Sequence, residues 1–253
     1  RRKIQADTPV TIGMNKNVQR IQKKLGETPL EALNRLRFEH PEYEGLKMTY
    51  AGRLDPMAEG ELLVLLGEEC KNKDAYNNLD KEYEFEMLFG FKTDTYDLLG
   101  ISTPYQDFNF SDIKSNLAEN LNSFLGKRIQ KYPPYSSKTV GGVPLFQKTK
   151  DGEEFELPER EVEVYEISFL GFREMKGSDL LEEIKRRISL VNGDFRQEEI
   201  VKKWEGNMQG REGEDFLIAK ASMKCSSGTY VRSLVNELSY PATTFSIKRT
   251  KIF

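Results

Sequence analysis

The run Leu62-Leu63-Val64-Leu65-Leu66 leaves this chain little structural freedom. A short, wholly apolar stretch of this kind reads as a strand buried on both faces, and the rest of the fold has to cover it. Directly before it stands Gly52-Arg53-Leu54-Asp55-Pro56-Met57-Ala58-Glu59-Gly60, a tight loop in which Gly52 and Pro56 hem in one carboxylate. An acidic side chain at the mouth of a buried strand is costly unless it is paired or used for chemistry. A turn aspartate bonded to its own backbone would give the same local pattern.

Three further segments bear on that choice. In Lys81 to Gly90 the residues Tyr83, Phe85, Met87 and Phe89 alternate with Glu84, Glu86 and Leu88, the period of a half-buried strand, and Thr93-Asp94-Thr95-Tyr96-Asp97 follows. Tyr83 on this pattern alone is the first core aromatic of the strand. Tyr132-Pro133-Pro134-Tyr135-Ser136-Ser137-Lys138-Thr139-Val140-Gly141-Gly142 is a loop punctuated by Pro and Gly. In Cys225-Ser226-Ser227-Gly228-Thr229-Tyr230-Val231-Arg232-Ser233-Leu234 a strand meets a Gly turn, then a helix with Val231, Leu234, Val235 and Leu238 on one face.

In this order the segments resemble the TruB-type family of tRNA pseudouridine synthases. The family's G-x-L-D-P-x-A-x-G loop stands here as Gly52 to Gly60, and its K-x-Y strand ending in G-x-x-T-D-T-x-D as Lys81 to Asp97. Its P-P-x-Y-S loop matches Pro133 to Ser136 with one residue missing, and its C-S-x-G-T-Y-[IV]-R-S-L turn and helix matches Cys225 to Leu234 throughout. A basic tail, Ile247-Lys248-Arg249-Thr250, resembles the family's L-R-R-T. The resemblance implies an α+β pseudouridine synthase catalytic fold, a mixed, mostly antiparallel central sheet flanked by helices and loops.

It also implies a chemistry. Turning uridine into pseudouridine breaks an N-glycosidic bond, turns the uracil and rejoins it through carbon, with no metal, cofactor or outside energy source. A carboxylate can serve as the nucleophile this needs. By resemblance Asp55 is that nucleophile, Arg232 the arginine that keeps it ionised and oriented, and Tyr83 the tyrosine that stacks on the flipped uracil and takes part in proton transfer. Ile247 stands where the family has an apolar wall of the base pocket. Tyr50 occupies the place of a family histidine, and Arg53 that of a threonine, adding a second cation beside Asp55. Tyr50, Arg53, Ile247, Lys248 and Arg249 are the expected RNA-binding residues. Read without the motif, Arg232 is an exposed helical arginine and Ile247 an ordinary core residue.

Composition narrows the alternatives. The two cysteines, Cys70 and Cys225, cannot form a disulfide framework, and with His40 as the only histidine a zinc site or Ser-His-Asp chemistry is not expected. Cys225 reads as a small core residue. No apolar run approaches a membrane span and the basic N-terminus lacks the apolar stretch of a signal peptide, so with so few cysteines a reduced, cytoplasmic setting is expected; the chain is expected to act as a monomer. The net charge of -3 gives no basic footprint in bulk, so RNA would be held by local cations. These are Lys71 and Lys73, Lys127-Arg128 with Lys131, Lys138, Lys148 and Lys150, and foremost the tail with Lys248 and Arg249. Each cluster could also be a solvated face.

Residues 1–20 lack periodicity and read as an N-terminal extension, with a natural start near Met14; 21–253 read as the catalytic domain, with no PUA domain after it. Thr28-Pro29-Leu30-Glu31 is a capping box opening a helix towards Phe38. A helix or turn is expected over Lys73 to Leu79, and an amphipathic helix capped by Ser111 over Ser111 to Leu125. Strand character marks Val162, Val164, Ile167 and Phe169, and again Phe216 to Met223. Leu238-Ser239-Tyr240-Pro241 is shorter than the family's loop. Between Phe172 and Phe216, where the family has a short connection, lie about forty residues. There Leu180, Leu181, Ile184, Ile188 and Val191 form one helical stripe, and Ile200, Val201 and Trp204 suggest a second helix. This insertion, about 175–208, reads either as two helices packing on each other or as an RNA-gripping arm. The leading expectation is a synthase acting on the T-loop uridine of tRNA, the T arm being its partner; the alternatives are an RNA chaperone for tRNA and a synthase for another structured RNA.

Overall fold

The computed structural model describes residues 16–106 and 109–253. In chain order its elements are β1 (Val18–Lys23), α1 (Pro29–Glu39), β2 (Met48–Ala51), β3 (Ala58–Leu66), α2 (Lys73–Asn77), β4 (Lys81–Phe89), β5 (Phe91–Thr93), β6 (Ser102–Pro104) and α3 (Phe110–Asn122). There follow β7 (Gly126–Lys131), β8 (Thr139–Val140), β9 (Val143–Pro144), α4 (Leu145–Lys150), β10 (Glu159–Lys176), α5 (Gly177–Ser189), α6 (Gln197–Met208), β11 (Asp215–Cys225), α7 (Val231–Asn236) and β12 (Ala242–Ile252).

One eight-stranded sheet organises the described residues, in the order β1-β3-β12-β4-β11-β10-β7, with β2 also paired to β3. The apolar run predicted as a strand lies in β3, buried along nearly its whole length. It is flanked by β1 and β2 in antiparallel fashion and by β12 in parallel. The neighbouring pairs β12–β4, β4–β11, β11–β10 and β10–β7 are antiparallel. This is the mixed, mostly antiparallel α+β sheet that the sequence implies. Among the described residues no helix is long and apolar enough to cross a membrane.

The strand period separates two apolar layers. On one face Tyr83, Phe85, Met87 and Phe89 of β4 meet Leu217, Ala219, Ala221, Met223 and Cys225 of β11, under α3 and α7. On the other, Leu88, Phe216, Ile218 and Phe245 meet Leu180, Ile184 and Ile188 of α5 and Ile200, Trp204 and Met208 of α6. The insertion thus packs on the sheet as well as on itself, its helices sealing one end of the second face.

Several local expectations need correction. α1 has the predicted capping box, with the Thr28 hydroxyl accepting from Glu31 N and the Glu31 carboxylate from Thr28 N. α3, however, is capped by the Asn109 side chain rather than Ser111, because an Asn oxygen two residues ahead reaches the Ser111 amide at 2.8 Å. Leu125 lies beyond the helix and is exposed. The expected extension 1–20 falls largely outside the described residues, but β1 begins at Val18 and pairs with β3, so a boundary after residue 20 cuts a strand.

The largest correction concerns the tail. Ile247 to Thr250 are no solvated end; they lie in β12, between β3 and β4 in the middle of the sheet. Strand alternation turns Lys248 and Arg249 to opposite faces. Lys248 is exposed, whereas Arg249 is only 1% exposed.

Candidate active site

Asp55 sits in the loop joining β2 to β3, and the loop is held from several sides. Gly52 takes a positive φ of +69° at its start, a conformation open to glycine at little cost. Its amide donates to the Asn77 side chain at 2.9 Å. Arg249 then clamps the loop: Nη2 donates to the Gly52 carbonyl at 2.8 Å, Nε to the Glu61 carbonyl at 2.7 Å, and Nη1 reaches the Arg53 carbonyl at 3.5 Å. The Gly26 amide holds the Pro56 carbonyl at 2.9 Å, and Ala58 N closes the turn on Asp55 O at 3.0 Å. Gly60 allows β12 to approach, since a Cβ there would lie 2.2 Å from the Arg249 carbonyl.

Arg232 arrives from the first turn of α7. Gln130 of β7 fixes that turn by bonding both the amide and the carbonyl of Tyr230. The guanidinium spends each of its nitrogens: Nε donates to Asp55 Oδ2 at 2.8 Å, Nη1 to the Thr95 carbonyl at 2.6 Å and Nη2 to the Tyr135 carbonyl at 3.2 Å. The Arg232 side chain is 3% exposed and that of Asp55 32%, so the cation is sealed below while one side of the carboxylate faces the opening. Arg232 is therefore no exposed helical arginine, and Asp55 is no self-bonded turn residue.

A second carboxylate, which sequence reasoning quoted without a role, shares this cation. Asp97 Oδ2 lies 3.7 Å from Arg232 Nε, while its Oδ1 accepts from Thr95 Oγ1 at 2.8 Å and Leu99 N at 3.0 Å. Burial pushes the Asp97 carboxyl up to about 6, with Arg232 pulling it down and Asp55 pushing it further up. Burial also works against the charge on Arg232, but Asp55 and Asp97 outweigh it and raise its pKa. The signal was present in the spacing of Thr93-Asp94-Thr95-Tyr96-Asp97; what the sequence lacked was the knowledge that this loop meets α7.

The opening beside Asp55 is a cleft of about 380 Å³ lined by Tyr83, Tyr230, Ile247, Lys81, Arg232 and Arg249 among others. Burial raises the pKa of the Tyr83 hydroxyl, with Arg249 beside it acting the other way. Burial likewise pushes Tyr230 up to about 12, so both phenols are neutral at ordinary pH. Lys81 donates to the carbonyls of Asn77 and Leu79, and burial, with Arg249 next, brings it down to about 8. Ile247 forms an apolar wall, as expected. Tyr83 and Ile247 thus give the cleft an aromatic and an apolar surface with the Asp55 carboxylate in the same lining.

A second cleft of about 430 Å³ shares Asp55 and Arg232 and extends past Tyr50, Tyr135 and Phe146 to Phe195 and Arg196. Arg53 stands at the rim of both clefts, and its guanidinium turns to the Tyr50 hydroxyl at 3.0 Å. Lys248 lies away from these, in a groove on the other face near Glu59 and Glu84. The structure thus brings Asp55, Arg232, Tyr83, Ile247 and Arg249 together, sets Tyr50 and Arg53 at the rim, and separates Lys248.

Residues 40–195 match the family model described as TruB family pseudouridylate synthase, N-terminal domain. The chain is 30% identical over 241 residues to tRNA pseudouridine synthase B of Borreliella afzelii, which covers 92% of this chain and 68% of that protein. Against tRNA pseudouridine synthase B of Caldanaerobacter subterraneus subsp. tengcongensis the identity is 39% over 196 residues, 76% of this chain and 53% of that protein. With tRNA pseudouridine synthase B of Treponema denticola it is 28%, over 80% of this chain and 50% of that protein. The chain thus spans about half the length of several relatives it matches. Its fold is shared with a crystal structure of a Cbf5-Nop10-Gar1 complex at a TM-score of 0.52 and 19% identity, covering 93% of this chain and 48% of that one. With its motif residues gathered around one cleft and the family model matched over most of its length, the chain belongs to the TruB family of pseudouridylate synthases.

Proposed function

We propose that this chain is a tRNA pseudouridine synthase that isomerises the T-loop uridine, position 55 of tRNA, using Asp55. The observation that carries this reading is the 2.8 Å Arg232–Asp55 ion pair at the base of the cleft that also holds Tyr83. The reaction exchanges a C1′–N1 bond for a C1′–C5 bond and moves one proton from C5 to N1. Both routes open to a carboxylate, attack on substrate carbon and removal of a sugar proton, require Asp55 charged and aimed. A planar guanidinium does this better than an ammonium because it holds the carboxylate in one orientation.

The uracil enters between Tyr83 and Ile247 after the nucleotide is flipped out of its loop, since the reacting atoms cannot be reached in the stack. The neutral Tyr83 hydroxyl serves as the proton carrier at the base. Tyr50 and Arg53 at the rim contact the RNA, an aromatic face and a cation being suited to unstacked bases and phosphates. The reading has the chain act on RNA as a monomer in the cytoplasm.

Mapping modified uridines at nucleoside resolution in tRNA incubated with the purified protein tests the reading. Pseudouridine at the T-loop position is expected with wild type and none with Asp55→Asn, whose amide cannot bond to carbon or take the proton. Turnover by Asp55→Asn near the wild-type rate would remove Asp55 from the chemistry, and modification confined to another RNA would change the substrate.

A further inference from the structure

We propose that the inserted α5–α6 pair is a brace for the catalytic arginine and that Arg196, at its turn, is a positioning residue for the reaction; the second half of this rests on the function proposed above. Two backbone carbonyls orient Arg232 besides its carboxylates, those of Thr95 and Tyr135. They belong to different loops, one following β5 and one following β7. The first is tied to β12, where Thr244 N donates to the Tyr96 carbonyl at 3.0 Å, and the second to α4, where Phe146 N donates to the Ser136 carbonyl at 3.0 Å; neither bond fixes one loop relative to the other.

Arg196 touches both. Its Nη2 pairs with Asp94 Oδ2 at 2.9 Å, the residue next to Thr95. Its guanidinium lies over the Tyr135 ring, 4.6 Å from the centroid. The backbone at Arg196 is in the left-handed region, φ +62°, a conformation costly for a side chain other than glycine. The insertion holds the same loop at two further points. Trp204 Nε1 donates to the Leu98 carbonyl at 3.3 Å, and Asn207 Nδ2 to the Ser102 carbonyl at 2.9 Å and hydroxyl at 2.8 Å. Its turn is itself anchored elsewhere, by Lys150 Nζ on the Asp194 carbonyl at 3.2 Å and by Asn192 on the Glu31 carboxylate at 3.0 Å. Loop 94–102, the Tyr135 loop, α4 and α1 thus converge on one turn that lines the second cleft.

The consequence is specific. Loosening Arg196 lets the Thr95 and Tyr135 carbonyls drift and with them the fork that aims Asp55, and a displacement of about 1 Å at a reacting group costs up to about a hundredfold in rate. Arg196 would therefore act on turnover through Arg232, without gripping the substrate.

The test compares wild type, Arg196→Gly and Arg196→Lys in three measurements: single-turnover pseudouridine formation at saturating tRNA transcript, tRNA affinity as a function of salt, and amide hydrogen exchange of 94–97 and 135–137. Glycine removes the side chain while tolerating the positive φ, so the turn itself is not strained by the change. Arg196→Gly is expected to lower the saturating rate roughly tenfold, leave affinity within about twofold and its salt slope unchanged, and speed exchange in both segments. Arg196→Lys, which keeps the charge but not the planar stack, is expected to recover only part of the rate. Unchanged exchange overturns the brace. A full rate with weakened affinity and a slope shallower by about 0.7 to 0.9 would instead make Arg196 a phosphate contact. If wild type itself forms no pseudouridine, the proposed function fails, and the exchange comparison still decides the brace.

Discussion

The two ends of this sheet bury very different things. Around Asp55 the fold encloses charge: Arg232, Arg249, Asp97, Lys23 and Lys81 are all buried within or beneath the cleft. Under α5 and α6 it encloses Trp204, Ile184, Ile188, Ile200, Phe91 and Phe245. Removing an ion from water costs several kcal/mol, and its partners restore that only when geometry is good. An apolar side chain of this size contributes roughly 1.5–3 kcal/mol on burial. The contrast teaches what each region is for. The cleft spends stability on holding a carboxylate in one place, and the inserted helices supply packing that offsets it while reaching round to steady the same loops.

That division can be broken most directly by matched substitutions. Arg232→Ala leaves Asp97 buried without its cation and should cost about 3–5 kcal/mol of stability together with essentially all pseudouridine formation. Ile184→Ala, from the insertion's packed stripe, should cost a similar amount, about 2–5 kcal/mol, yet retain turnover well below its unfolding midpoint. Urea unfolding and the rate at saturating RNA, measured on both proteins, read the comparison. An Ile184→Ala protein that is folded but inactive would show that the two ends are not separable in this way.

Much of this was legible in the chain. The capping box at Thr28, the run in β3 and the alternation of β4 carry their own short-range causes, and the stripes of α5 and α6 gave both helices. Asp55, Tyr83 and Arg232 were legible through motif resemblance, since no spacing in the sequence says that residues 177 positions apart will pair. What stayed hidden depended on tertiary placement. Lys248 and Arg249 look alike as neighbours in a basic segment, and only the pairing of β12 between β3 and β4 shows that one is solvated and the other clamps the Asp55 loop. Asp97 and Arg196 were invisible for the same reason: each matters through a loop it meets in space.

The buried carboxylate beside Arg232 offers a pH test of the charged end. Asp97 has a folded pKa of about 6 against an ordinary value of 3.8. Between these values the folded state binds a proton that the unfolded state has lost, so this group's contribution to stability is fully present below about 3.8 and is lost as pH rises through about 6. Other groups titrate too, so the readout is the difference between wild type and Asp97→Asn in unfolding free energy. That difference should fall over this window and be flat on either side. A difference that rises with pH would mean that Arg232 outweighs burial at this site.

The smallest effects should come from splitting the pair of cations in β12. Arg249 donates to three carbonyls of the Asp55 loop and its neighbour strand, so Arg249→Ala leaves buried acceptors unmet, at a cost of roughly 1–3 kcal/mol for such a group, and lowers the saturating rate. Lys248 is exposed on the opposite face, in a groove with Glu59 and Glu84. Lys248→Ala should leave stability and the saturating rate nearly untouched. If Lys248 meets a phosphate, affinity for tRNA weakens and the slope of log K against log salt becomes shallower by no more than about 0.7 to 0.9. The two single changes should therefore differ in kind, one acting on turnover and the other on binding. Equal losses of turnover would mean that strand β12 shifts as a unit, and that the clamp on the loop lies in the strand pairing rather than in the Arg249 side chain.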